Sequence, residues 1–177
     1  MPDLVTDPKE VERLAEERKD ENWAFRDWIK VEFGFDDERL MSVVRELADE
    51  ITAQIDCTQC ANCCRKTATN LDEEDTERLA AALDMSVAEL QEAYLKWDDD
   101  RGGRWQLPAP YPLLEGNLCR VYDARPTSCR EYPHLHNDFR ASSISRINNT
   151  FICPIVFNVV EEMKYALRWP RRDRWQR

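Results

Sequence analysis

The residues best suited to chemistry in this sequence are its cysteines, seven among 177 residues. Four of them, Cys57, Cys60, Cys63 and Cys64, lie within eight consecutive residues. Two residues between cysteines allow a tight turn to direct both sulfurs at one metal ion, while the amides of the turn help to neutralise the thiolate charge. One or two of these cysteines could instead pack as small apolar side chains. Four of them in a polar setting favour metal binding.

Three further cysteines, Cys119, Cys129 and Cys153, are candidates to complete the coordination. Four ligands satisfy one tetrahedral ion, so the seven cysteines exceed a single simple zinc site. Arg125 and Arg130 lie close to Cys129 in the sequence. Arginines beside thiolates stabilise negative charge, but arginines also form ordinary surface ion pairs with nearby acids. Both interpretations of these two arginines remain open from the sequence.

Zinc is the preferred metal, because closed zinc sites with sulfur ligands stabilise many small domains. Seven thiolates can hold two zinc ions if one sulfur bridges or if a histidine supplies an eighth ligand. His134 and His136 are the two histidines, and each is more simply interpreted as a ring without a metal role. Iron, or an iron–sulfur cluster, is the alternative. The spacing of Cys57, Cys60 and Cys63 matches three ligands of a bacterial ferredoxin, although the fourth cysteine of that run should follow four residues later.

Two motifs together resemble a known family. The first is Cys-x2-Cys-x2-Cys-Cys, and the second is Cys-x-Val-Tyr-Asp-x-Arg-Pro-x-x-Cys-Arg-x-Tyr-Pro, which ends at Pro133. Both are similar to motifs of the YkgJ-type cysteine-cluster family, described as a zinc- or iron-chelating domain, over about residues 57–133. The resemblance implies that the matching metal ligands are Cys57, Cys60, Cys63, Cys64, Cys119 and Cys129. It also implies that the second motif is matched by Tyr122, Arg125, Pro126, Arg130 and Pro133.

One segment departs from the family pattern. Members often carry another cysteine in a Cys-Pro-Phe-Leu-like segment, where this chain has Tyr111-Pro112-Leu113-Leu114. The number of ligands is therefore open, and Cys153 is a candidate to replace the absent cysteine.

The elements that position these cysteines are predicted to be helices. Helix starts are indicated at Asp7-Pro8, at Asp36, at Asp72, at the capping box beginning with Ser86, and at Cys153-Pro154. Apolar residues from Leu40 to Ile55 recur with the helical period and lead the chain to Cys57. The helix after Ser86 is expected to include Trp97, and residues 104–118 are expected to be loop or short extended chain. The predicted fold is all-α, with about five helices around an irregular cysteine-rich metal-binding region.

Three segments are expected along the chain: an N-terminal helical segment packed on the core (residues 1–56), a cysteine-cluster metal-binding domain (residues 57–170) and a basic tail (residues 171–177). The net charge of −10 argues against nucleic acid as a partner of the whole molecule, and the basic tail is interpreted as solvated. The start of the sequence lacks the features of a secretory signal, and the most apolar stretch, residues 151–160, is too short to cross a membrane. We therefore expect a cytoplasmic protein with reduced thiols and no membrane partner.

The sequence thus predicts a metal-binding protein without an assigned reaction, catalytic residue or protein partner. The alternative is an iron–sulfur redox or methyltransferase-like enzyme, since the cysteine motif also resembles part of a bacterial flagellin lysine methylase. Only four glycines are present, and no glycine-rich nucleotide-binding loop is found among them.

Overall fold

The helices of the protein begin largely where the sequence offers caps. A computed structural model describes residues 3–34, 36–100 and 103–170. Asp7 accepts from the backbone N–H of Lys9 at 2.7 Å, and Pro8 occupies the first turn of the helix that follows. Asp36 and Asp72 cap the next predicted helices in the same way. Ser86 forms the expected capping box with Glu89. These side chains satisfy N–H groups that a helix start leaves unpaired.

The described residues contain ten α-helices, five short β-strands and a 3-10 turn at Tyr122–Ala124. The helices are α1 (Pro8–Glu17), α2 (Lys19–Val31), α3 (Asp37–Thr52), α4 (Cys57–Cys60), α5 (Asn62–Lys66), α6 (Glu73–Ala82), α7 (Val87–Tyr94), α8 (Thr127–Arg130), α9 (Ser143–Asn149) and α10 (Pro154–Ala166). The strands are β1 (Thr69–Asn70), β2 (Lys96–Asp98), β3 (Arg104–Leu107), β4 (Leu114–Glu115) and β5 (Leu118–Cys119).

The predicted all-α fold with about five helices is therefore wrong in two respects, although the chain is mostly helical. The single helix expected to start at Pro8 is divided at Arg18, whose φ of −101° and ψ of 13° leave the helical region. Several helices are one turn long, too short for the apolar periodicity that identifies helices in a sequence. The strands exist through pairing with distant segments, which local patterns do not reveal.

The structure divides into two compact units. The first comprises Met1–Ile55 with His134–Arg177, and the second comprises Asp56–Pro133. Residues 134–170 thus belong with the N-terminal helices. The predicted basic tail, residues 171–177, lies outside the described residues.

In the first unit, α10 is buried along most of its length and packs against α1, α3 and α9. The predicted apolar face of α3 is confirmed, since Leu40, Val44 and Ile51 are fully buried. Phe157 of α10 packs with Val11 and Ala15 of α1. None of the described helices combines the length and the apolar character that crossing a bilayer requires.

The second unit is built on a small three-stranded antiparallel sheet in the order β1-β3-β2, next to a hairpin of β4 and β5. Thr69 pairs with Leu107, and Trp97 pairs with Trp105. Trp97 therefore lies in a strand, whereas the sequence predicted a helix there. The core consists of Leu71, Leu79, Ala80, Leu90, Leu95, Leu107, Tyr111, Leu113 and Val121. Cys64 and Cys119 pack against this core, so two candidate ligands lie at its border.

Candidate metal centre

The first cysteine motif forms two consecutive helical turns. Asp56 accepts hydrogen bonds from the backbone N–H and the hydroxyl of Thr58, at 2.8 and 2.7 Å, and so begins α4 at Cys57. These hydrogen bonds lower the pKa of the Asp56 carboxyl and keep it charged. Ala61 then adopts a left-handed conformation, with φ of 49°, and separates α4 from α5. This reversal lets Cys57 and Cys60 lie on one turn and Cys63 and Cys64 on the next.

The sulfurs of Cys63 and Cys64 are 4.0 Å apart. A disulfide requires about 2.05 Å, whereas two sulfurs bound to one tetrahedral zinc ion at about 2.3 Å are separated by about 3.8 Å. Interaction with Cys63 lowers the pKa of the Cys64 thiol to about 7, and the charge of Arg65 acts in the same direction. A substantial fraction of Cys64 is therefore present as thiolate near neutral pH.

Arg65 and Asn117 connect the first motif to the hairpin that carries Cys119. Arg65 donates to the carbonyl of Cys60 at 2.9 Å and to the carbonyl of Gly116 at 2.7 Å. Asn117 donates to the carbonyl of Gln59 at 2.7 Å. These bonds hold the turn between β4 and β5 against α4. Neither residue is recognisable from the sequence, because the contacts join segments that are far apart in the chain.

Cys64, Cys119 and Cys129 influence one another electrostatically in the second unit. Burial raises the pKa of Cys119, and the neighbouring charge of Cys64 raises it further. Burial likewise raises the pKa of Cys129 to about 11, and electrostatic interactions with Cys64 and Cys119 act in the same direction. Burial also raises the pKa of Cys57, and electrostatic interactions with Cys60, Asp56 and Cys64 raise it further. Cys64 thus interacts both with the first motif and with the two downstream cysteines.

Asp75 positions the one-turn helix α8, which carries Cys129. Its carboxylate is 3% exposed and accepts from the backbone N–H of Thr127 at 2.9 Å and from the Thr127 hydroxyl at 3.0 Å. Arg78 pairs with the same carboxylate. On the other side, the Thr69 hydroxyl lies 3.6 Å from the sulfur of Cys129. Nothing in the sequence distinguishes Asp75 from the other acids at the start of α6.

Arg125 lies near the downstream thiols. Its guanidinium stacks on the ring of Tyr122, 3.9 Å from the ring centre, and donates to the Tyr122 carbonyl at 2.7 Å. Its charge also acts to lower the pKa of Cys119 and Cys129, against the larger effect of burial. Arg130 donates to the carbonyl of Arg125 at 3.1 Å. The charge of Arg125 thus acts in the direction that thiolate stabilisation requires.

Tyr111 is buried beside the same thiols, with 5% of its surface exposed. Its backbone N–H donates to the carbonyl of Cys64 at 2.7 Å. Burial raises the pKa of its phenol, and so do the charges of Cys119 and Cys129. The phenol therefore remains protonated at neutral pH.

The remaining candidates lie in the first unit. Cys153 is buried and occupies the cap position before α10. The Nε2 atom of His136 is 3.2 Å from a carboxylate oxygen of Asp49, on an exposed part of the unit. The carbonyl of His134 accepts from Arg146 at 2.8 Å.

All seven cysteines lie within the described residues, and none of them forms a disulfide. Within the described part of the chain, no group of three or more His, Cys, Asp or Glu side chains is arranged so that it could hold a metal ion. Six thiols are nevertheless gathered in one unit of 78 residues, between Asp56 and Pro133.

One family model matches the chain. The model of the CxxCxxCC family, described as "Putative zinc- or iron-chelating domain", matches residues 56–151. The match covers more than half of the chain, so the protein belongs to this zinc- or iron-chelating family, and the predicted resemblance is confirmed. The search of curated proteins and the search of solved structures each found no match.

Proposed function

We propose that the protein binds zinc, or iron in its place, through Cys57, Cys60, Cys63, Cys64, Cys119 and Cys129. The observation that carries the proposal is the position of Cys64. Its sulfur is 4.0 Å from that of Cys63 in the first motif. Its charge also affects Cys119 and Cys129, the two cysteines of the second motif.

The donor chemistry of the second unit fits either metal. Thiolate sulfur is a ligand that zinc and iron share, and magnesium or calcium would require oxygen ligands instead. Zinc is preferred because closed thiolate sites of this kind add to the stability of small units. Thiolates must also stay reduced, so the proposal includes a reducing compartment such as the cytoplasm.

Metal binding is expected to complete the arrangement of the sulfurs. Buried thiols with raised pKa values stay neutral in the metal-free protein, and they lose their protons when a cation replaces them. The ion would then draw the sulfurs to bonding distance and connect α4, α5, the β4–β5 hairpin and α8. The chain's own contribution is to hold four cysteine-bearing segments in one small unit.

The test is anaerobic purification of the full chain, followed by elemental analysis and a visible spectrum. A colourless protein with one or two zinc ions supports the zinc form of the proposal. Iron with inorganic sulfide and broad brown absorption would assign an iron–sulfur centre, the alternative expected from the ferredoxin-like spacing. A protein that contains neither metal, and binds neither when supplied with them, would refute the proposal.

Two substitutions locate the site. Cys64→Ser is expected to remove most of the bound metal, because Cys64 interacts with both groups of thiols. Cys153→Ser makes the same change in the first unit and is expected to retain the metal. Loss of metal from Cys153→Ser would add the seventh predicted cysteine to the ligand set.

A further inference from the structure

Tyr111 presents a buried hydroxyl that the fold does not satisfy. The phenol oxygen is inaccessible to solvent and has no hydrogen bond of normal geometry with any of the described residues. A core hydroxyl without a hydrogen-bond partner destabilises the fold. A phenylalanine would fill the same space without that cost. A hydroxyl at this position is therefore useful only if it gains a hydrogen-bond partner when a ligand binds nearby.

The groups facing this hydroxyl are candidate ligands. Tyr111 belongs to the core cluster against which the side chains of Cys64 and Cys119 pack, and its phenol interacts electrostatically with the thiols of Cys119, Cys129 and Cys64. Its backbone N–H is bonded to the carbonyl of Cys64, and its own carbonyl accepts from Leu114 at 3.1 Å. The ring is therefore fixed at the start of the segment that leads into the hairpin with Cys119.

We infer that Tyr111 is a positioning residue of the metal centre, whose hydroxyl donates a hydrogen bond to the Cys119 thiolate once the metal is bound. This inference rests on the proposed function. A protonated phenol suits the role, because a thiolate-rich site carries excess negative charge and a neutral donor reduces it without adding another anion. A tyrosinate ligand would add to that charge instead.

Cys129 has a different hydroxyl partner. The Thr69 hydroxyl lies 3.6 Å from the sulfur of Cys129. The hydroxyl that interacts with the Cys119 thiol is that of Tyr111. The two downstream thiolates would thus each have one hydroxyl donor. Outer partners of this kind orient ligands and change metal affinity about 10- to 100-fold.

The test compares wild-type protein with Tyr111→Phe in the full chain, loaded with Co2+ and with Zn2+. We expect Tyr111→Phe to weaken Zn2+ binding about tenfold or more and to shift the sulfur-to-cobalt charge-transfer band. Without metal, the variant should unfold at the same or a higher temperature than wild type, because an unpaired hydroxyl has been removed. A purely structural role for the hydroxyl predicts a less stable metal-free variant and an unchanged cobalt band.

Tyr94→Phe is the matched control, since Tyr94 packs against the same core and its hydroxyl has no assigned role at the thiols. It should leave the cobalt band and the Zn2+ affinity unchanged. An identical band and affinity in Tyr111→Phe would overturn the inference while leaving metal binding intact. Absence of metal binding by wild type would instead refute the proposed function.

A measurement on the wild-type protein does not depend on the folding of any variant. A hydroxyl that donates to a thiolate stays protonated, so Zn2+ loading should produce no tyrosinate band in the ultraviolet difference spectrum. The appearance of such a band, matched to the bound Zn2+, would make a tyrosine a ligand and overturn the inference.

Discussion

The thiols of the second unit differ in charge before any metal binds. The pKa of Cys64 is lowered to about 7 by its interaction with Cys63, and the pKa of Cys129 is raised to about 11 by burial. One thiolate is therefore available near neutral pH, while the buried thiols remain neutral until a cation compensates their charge. These pKa values favour metal binding first at Cys64 and then at the buried sulfurs.

The raised pKa of Cys129 predicts how the metal-free protein responds to alkaline pH. In the unfolded chain this thiol ionises near 9.0, and in the folded protein near 11. Because the folded pKa is the higher one, the neutral Cys129 thiol favours the folded state. This contribution to stability is fully present below about pH 9 and is lost as the pH rises toward 11. The full difference corresponds to about 2.7 kcal/mol, which partial exposure reduces to about 1–2 kcal/mol.

Urea unfolding of metal-free protein between pH 8 and 11 measures this effect. Cys129→Ser should lose less stability over that range than wild type, since serine does not ionise there. Equal slopes for the two proteins would contradict the assigned burial of Cys129.

At the scale of elements, the site depends on helices of one turn that cannot be stable alone. The structure stabilises them through side chains from other elements. Asp56 begins α4, Arg65 and Asn117 hold it against the hairpin, and Asp75 holds α8.

Asp75→Ala tests this dependence. The substitution leaves the Thr127 N–H and the Arg78 guanidinium without their buried acceptor, so we expect a loss of about 2–4 kcal/mol in the free energy of unfolding. Zn2+ affinity should also fall, because α8 carries Cys129. Unfolding by urea and competition with a chelator measure the two effects.

Glu74→Ala is the control, since this exposed carboxylate forms only a long pair with Arg78, at 3.5 Å. It should change stability by less than about 0.5 kcal/mol. Unchanged Zn2+ affinity in Asp75→Ala would show that α8 does not need this support.

The elements differ in how well the sequence predicted them. The starts at Asp36, Asp72 and Ser86 were predictable, because capping is a local interaction between a side chain and the next few amides. The start at Pro154 was predictable because proline suits the first turn of a helix. The strand at Trp97 was not, because it depends on pairing with Trp105 of β3. The cysteine spacing indicated ligands, but Tyr111 and Asp75 act through contacts that only the folded chain creates.

At the scale of the whole molecule, the first unit contains a buried polar network. Lys164 has 1% of its side chain exposed and donates to Glu161 at 2.7 Å, to Glu21 at 3.0 Å and to the Asn22 amide oxygen at 2.6 Å. Arg18 pairs with the other oxygen of Glu161. Every charge in this network has a partner, so the network is assigned a structural role that joins α2 to α10.

Lys164→Met should destabilise the protein by about 3–5 kcal/mol, because it leaves buried acceptors without their cation. The metal content of folded protein should not change, since the six proposed ligands lie in the second unit. Lys19→Met, which removes an exposed pair with Glu16, should cost less than about 1 kcal/mol. Thermal unfolding and elemental analysis of the three proteins test both statements, and a loss of metal from folded Lys164→Met would contradict the second.

The two cysteine motifs of this protein are thus interpreted as parts of one thiolate centre, which the second unit assembles from separate segments. X-ray absorption spectroscopy of the purified protein at the zinc and iron edges identifies the atoms bound to the metal. We expect these atoms to be mainly sulfur, at about 2.3 Å from the metal. A first shell made only of nitrogen and oxygen would contradict it.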